Sequence, residues 1–150
     1  MSELRELYQE IIVDHGRNPR HFGMLPTANH IKEGFNPLCG DKITLYIHEH
    51  KGVIKNILFE GCGCAISMAS ASLMAESLKG KTVAFAAELF ELFRLLITEG
   101  SLPESEKEKI GKLAVLGGVS EFPARVKCAA LAWHTLRALL LNDDTSVTTE

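Results

Sequence analysis

Four cysteines and one aspartate carry the most reactive chemistry in this sequence. Cys39 and Asp41 sit in the loop-like run Asn36-Pro37-Leu38-Cys39-Gly40-Asp41, Cys62 and Cys64 flank Gly63, and Cys128 follows Pro123 by five residues. Thiolates are soft metal ligands and strong nucleophiles, and a carboxylate beside them adds a harder oxygen ligand. Three thiolates together with the Asp41 carboxylate would suit tetrahedral zinc, and the soft sulfurs would also suit an iron-sulfur cluster. The intervals between the cysteines are long and no CxxC pair is present. Spacing alone therefore leaves open both which metal is bound and whether these residues share a site.

The elements that must position these residues follow from periodicity. Leu4, Leu7, Tyr8, Ile11 and Ile12 recur at helical spacing, which predicts an amphipathic helix from Leu4 to about Asp14. Ile43, Leu45 and Ile47 alternate with Thr44, Tyr46 and His48; Val53, Ile57 and Phe59 alternate with Ile54, Asn56 and Leu58; and Lys51-Gly52 between them predicts a hairpin. A short third strand is expected near Asn29 to Lys32. After Gly61 and Gly63, the small residues Ala65, Ser67, Ala69, Ser70, Ala71 and Ser72 predict a closely packed helix to about Leu78. A further helix is expected over about Thr82 to Thr98, and a last one from Pro123 to about Leu141. Residues 101–120 read as looser, around a short helical stretch. Strands grouped early and helices late predict an α+β fold, with a small antiparallel sheet against several helices. Cys64 is thereby placed at a helix start, where free N–H groups favour a thiolate, and Cys128 more weakly so.

The chain has 150 residues, 46% of them hydrophobic, which suits one core and one domain over 1–141, with residues 142–150 as a flexible tail. A net charge of −3 gives no electrostatic reason to bind nucleic acid or an anionic membrane surface. No apolar run is long enough to span a bilayer, and the opening residues lack the order of a signal peptide. The expected location is cytoplasmic. In that reducing setting thiols serve as ligands or nucleophiles more readily than as structural disulfides.

Three segments in register carry a family resemblance: Asn36-Pro-Leu-Cys-Gly-Asp41, Phe59-Glu-Gly-Cys-Gly-Cys-Ala-Ile-Ser-Met-Ala-Ser-Ala-Ser72, and Phe122-Pro-Ala-Arg-Val-Lys-Cys-Ala-Ala-Leu-Ala-Trp133. Together with Asp14-His15 and Asn18-Pro-Arg20 they resemble the IscU/NifU-like iron-sulfur cluster assembly scaffold family, over roughly residues 4–141. Lys127 before the last cysteine, and the segment near 100–120, resemble its SufU-type branch. That resemblance implies a SufE/NifU-like fold and a metal set of Cys39, Asp41, Cys64 and Cys128. It also implies a zinc-bound protein that accepts persulfide sulfur from a pyridoxal-phosphate-dependent, SufS-type cysteine desulfurase and passes it to a downstream cluster assembly complex. Cys39 is the expected acceptor, because its loop is the most mobile of the three cysteine settings. Arg125 and Lys127 are expected to offset the surplus negative charge. The alternatives are a scaffold on which an iron-sulfur cluster is built on the same cysteines, and a structural zinc domain used only for protein binding.

Cys62 departs from the family pattern, which has a non-cysteine residue there. It stays outside the ligand set, with alternative ligation or a resolving thiol as its sharper readings. Gly80-Lys81-Thr82 resembles the end of a phosphate-binding loop, but the first glycine of that motif would fall at Ala75, inside a helix. His48 and His50 read as solvated, His15 as a structural cap or partner contact, and His134 as facing away from Cys128. The stripe Phe85, Leu89, Phe93 reads as core.

Overall fold

The computed structural model describes residues 2–141 and 147–148, with side chains described from residue 6. In chain order the elements are α1 (Ser2–Arg17), β1 (His30–Asn36), β2 (Asp41–His50), β3 (Val53–Cys62), α2 (Ala65–Leu78), α3 (Val83–Glu99), α4 (Glu104–Ile110), a 3-10 segment (Gly111–Glu121), α5 (Pro123–Leu140) and β4 (Val147–Thr148). The sheet order is β3-β2-β1-β4. β1, β2 and β3 pair antiparallel, whereas β4 joins β1 in parallel and makes the sheet mixed. The fold is the expected α+β arrangement.

The third strand is longer than the sequence suggests. Its positions opposite Ile43 and Asp41 are Gly34 and Asn36, so the inward side of β1 lacks the apolar alternation by which a strand is recognised. Gly34 is required there, because any side chain would run into Thr135 of α5. Residues 101–120 are also more ordered than their composition suggests: Leu113, Val115, Leu116 and Val119 of the 3-10 segment are buried against the core. Most of the expected tail lies outside the described residues, and Val147 and Thr148 pair with Gly34 and Phe35.

α2 and α5 cover the inner face of the sheet. Every residue of α2 from Ser67 to Ala75 is buried, so this helix runs through the interior, and its small side chains let four neighbouring elements approach. Leu89 and Phe93 of α3 are core residues, as expected, and Phe93 stacks on Trp133 of α5 with ring centroids 4.6 Å apart. The Trp133 indole N–H donates to Ser70 Oγ at 3.2 Å, and Ser70 donates to the Ala129 carbonyl at 2.6 Å. That pair of buried bonds fixes α5 on α2 one residue beyond Cys128. Gly80-Lys81-Thr82 connects two helices, and Thr82 caps α3 by accepting the Phe85 N–H at 3.0 Å.

α1 is held to α2 by a polar contact within a largely apolar interface. His15 is buried, with Nδ1 2.7 Å from Ser72 Oγ, and the same oxygen accepts the Arg20 backbone N–H at 2.8 Å. The Ser72 hydroxyl has one proton and two lone pairs, so with one lone pair on the Arg20 N–H it can still bond Nδ1 of either tautomer of a neutral imidazole. Burial first, and the Arg20 charge second, hold His15 below the ordinary imidazole pKa. Its stabilising neutral form is therefore fully present above the unfolded value of about 6.5 and is overcome as pH falls below it, because the unfolded chain takes up the proton first. Denaturant midpoints are expected to fall between about pH 7.5 and 5.5, and His15→Gln to flatten part of that slope. An unchanged slope in the variant would assign it elsewhere; burial lowers His21 and His134 as well.

Candidate metal and sulfur site

Asp41 is the hub of the cysteine cluster. It opens β2 directly across from Asn36, the last residue of β1, and residues 37–40 carry Cys39 around the turn between them. Gly40 takes φ +71°, a conformation that favours glycine and that reverses the chain just after Cys39. Asp41 is 2% exposed and faces the helices, in step with Ile43, Leu45 and Ile47. Its Oδ1 accepts the Cys64 backbone N–H at 2.8 Å, and its Oδ2 accepts an Asn36 Nδ2–H at 3.2 Å.

Cys64 is the N-cap of α2, as expected of a cysteine at a helix start, and its sulfur accepts the Ser67 N–H at 3.4 Å. The same sulfur lies 3.9 Å from Asp41 Oδ2. Gly63 makes this approach possible, since a Cβ there would collide with the Asp41 carboxylate. Cys128, in the second turn of α5, is 2% exposed, with its sulfur 3.2 Å from Cys39 Sγ and 3.4 Å from Asn36 Nδ2. Both thiols are free, since their separation far exceeds the about 2.05 Å of a disulfide. Ligand atoms of Cys39, Asp41 and Cys128 all lie within 4.8 Å of one another, and Cys64 adjoins this trio through Asp41.

Cys39, Asp41 and Cys128 lie close enough to share one metal ion, with Cys64 beside them at Asp41. Sulfurs about 2.3 Å from a zinc stand about 3.8 Å from one another, so the 3.2 Å between Cys39 and Cys128 would have to open slightly around an ion. Burial pushes the Cys128 thiol well up, and hydrogen bonds with Cys39, Asp41 and Cys64 add to it. Desolvation thus outweighs whatever the start of α5 offers a thiolate, and a bound cation would reverse that balance.

The structure brings Cys39, Asp41, Cys64 and Cys128 together and leaves the other candidates at the margin. Cys62 is exposed and pairs with Lys42 across the ladder, so strand alternation places it on the outer face of the sheet while Asp41 points inward. Arg125 is exposed and its guanidinium lies 4.8 Å from the Phe122 ring centroid. Lys127 is half-buried, and among the described residues neither cation has an ion pair with the cluster. His134 packs edge-on against Phe90 at 5.6 Å, away from Cys128. His48 is half-buried and His50 exposed. Asn36 is the residue that sequence reasoning passed over: it reads as a turn former before proline, and only the Asn36–Asp41 strand pairing reveals an inward side chain.

Sheet order, helix placement and a cysteine-aspartate cluster between a strand turn and two helix starts define an α+β domain with a candidate metal site. The family model described as the NifU-like N terminal domain matches residues 7–129, and the chain belongs to that family. It is 38% identical over 135 residues to the zinc-dependent sulfurtransferase SufU of Bacillus subtilis, covering 90% of each chain. It is 41% identical over 137 residues to the iron-sulfur cluster assembly scaffold protein IscU of Thermotoga maritima, covering 89% of this chain and 92% of that one. The crystal structure of a protein described as a putative iron-sulfur cluster assembly scaffold for the SUF system, from Fervidobacterium islandicum, superposes with a TM-score of 0.82 at 34% identity, covering 91% of this chain and 98% of that one. Among the described residues no helix is long and apolar enough to cross a membrane.

Proposed function

We propose that this protein is a zinc-bound sulfur acceptor and carrier in iron-sulfur cluster assembly, loaded by a pyridoxal-phosphate-dependent cysteine desulfurase. The observation that carries this reading is the pairing of an exposed Cys39, on a turn, with the buried Cys128, their sulfurs 3.2 Å apart. A carrier needs one thiol that a partner can reach and others that stay in place. Cys39, Asp41, Cys64 and Cys128 would hold the ion, which would keep their sulfurs deprotonated and restrain them as nucleophiles.

The chemistry then belongs to Cys39. Its thiolate attacks the terminal sulfur of the desulfurase persulfide, a new S–S bond forms at Cys39, and the enzyme's S–S bond breaks to release its cysteine thiolate. The exchange is redox-neutral, and the persulfide proton travels with the transferred sulfur. Leu38, 66% exposed beside Cys39, offers the partner an apolar contact at the point of transfer. Arg125 and Lys127, in the first turns of α5 before Cys128, would offset the surplus negative charge of the site.

The 41% identity to a protein named as an IscU scaffold supports a second reading, cluster assembly on the same cysteines. Metal analysis and absorption spectra of protein purified without oxygen discriminate between the two. Stoichiometric zinc in a colourless sample is expected, whereas a stoichiometric brown iron-sulfur chromophore would favour the scaffold. A third reading, a zinc domain used only for protein binding, requires desulfurase stimulation to survive replacement of all three ligand cysteines.

A further inference from the structure

Asn36 is fully buried at the end of β1, and its amide nitrogen faces two of the cluster's ligand atoms: Asp41 Oδ2 at 3.2 Å and Cys128 Sγ at 3.4 Å. Its Oδ1 is buried with no hydrogen-bond partner. Buried polar atoms are rarely left in this state, because an unmade bond costs its full desolvation. Turning the amide over would set that oxygen against a carboxylate oxygen and a sulfur, acceptor against acceptors. The orphaned oxygen is thus the consequence of pointing both N–H donors of one side chain at the cluster.

We infer that Asn36 is a positioning residue of the metal site, donating one N–H to the Asp41 carboxylate and the other to the Cys128 sulfur. This rests on the metal-site reading above. An N–H bond to a thiolate draws electron density from the sulfur and makes it a weaker nucleophile, as outer-shell donors do in metal sites generally. Cys128 is anchored and quieted in this way. Cys39 has no such donor: its sulfur meets only the Cys128 thiol among the described contacts, so it keeps the greater reactivity. At this buried position glutamine is a methylene too long, and aspartate would set a second carboxylate beside Asp41 with no N–H to offer.

The test compares wild type with Asn36→Leu, which keeps the bulk and removes both donors, and Asn36→Ser, which keeps one. Zinc affinity is read by chelator competition, the metal-free thermal midpoint by circular dichroism, and sulfur donation by the charge-transfer band of the cobalt(II)-substituted protein. Asn36→Leu is expected to weaken zinc by about 10- to 100-fold, with Asn36→Ser intermediate. The metal-free midpoint of Asn36→Leu should change little, because removing the unsatisfied buried oxygen offsets the N–H donor lost to the buried Asp41 carboxylate. The cobalt band should move to lower energy as the Cys128 sulfur loses its donor. Wild-type affinity in Asn36→Leu, or a metal-free midpoint that falls in step with affinity, would overturn the inference and leave Asn36 an ordinary structural residue. Should Asn36→Leu fail to fold, Asn36→Ser decides by its band position and affinity. Wild-type protein that binds no zinc would instead bring down the metal-site reading itself.

Discussion

Cys39→Ala is expected to abolish both persulfide acceptance and stimulation of the desulfurase, while the protein stays folded and still holds a zinc ion with reduced affinity. Cys39 is exposed on the turn between β1 and β2, so its side chain contributes little to the core. Asp41, Cys64 and Cys128 remain on β2 and at the starts of α2 and α5, where the fold fixes them regardless of Cys39. Loss of transfer should be complete rather than partial, because the buried Cys128 cannot present itself to a partner and the Cys64 sulfur is engaged by the Ser67 N–H. The measurement is transfer of labelled sulfur from free cysteine through the desulfurase, alongside alanine release. Full retention of both activities would remove Cys39 from the acceptor role.

Asp41→Ala is expected to have the larger effect on the metal, weakening zinc by about 100-fold or more in chelator competition, on the scale of losing a ligand rather than an outer-shell partner. The carboxylate is the oxygen ligand of the proposed site, and it accepts the Cys64 and Asn36 N–H groups. Alanine would leave the Cys64 N–H unsatisfied, at a cost of about 1–3 kcal/mol to stability. Asp41→Asn separates the two effects: its amide oxygen can still accept the Cys64 N–H, and Asn36 can turn its unpartnered oxygen toward the new amide. Stability should therefore recover in Asp41→Asn while zinc affinity stays low. An unchanged affinity in either variant would take Asp41 out of the ligand set.

The candidate ligand set came from the family resemblance, whereas local signals placed the loop and the helix starts that carry it. Cys39 lies among proline and glycine, Cys64 follows two glycines that end a strand, and Cys128 comes one turn after a proline that starts a helix. Asn36 was hidden because its role depends on strand register: only when β1 runs to residue 36 does its side chain turn inward beside Asp41. β1 itself was half-hidden for the same reason, since glycine and asparagine occupy the inward positions that apolar residues would mark. The electrostatic setting of Cys128 was misread from position alone. A place near a helix start suggests a thiolate, yet complete burial pushes the other way, and burial is a property of packing between α2, α5 and the sheet. The β4 pairing rests on Val147 and Thr148 alone, too short a run to carry a period.

The central claim is that Cys39 takes the sulfur while the other ligands hold the site. Zinc-loaded protein incubated with free cysteine and its cognate desulfurase, quenched with an alkylating agent and digested for peptide mass spectrometry, tests it most directly. One additional sulfur on the Cys39 peptide, with Cys62, Cys64 and Cys128 unmodified by sulfur, is the expected result. Sulfur on any of those three in place of Cys39, or on none of them while the desulfurase turns over, would contradict it.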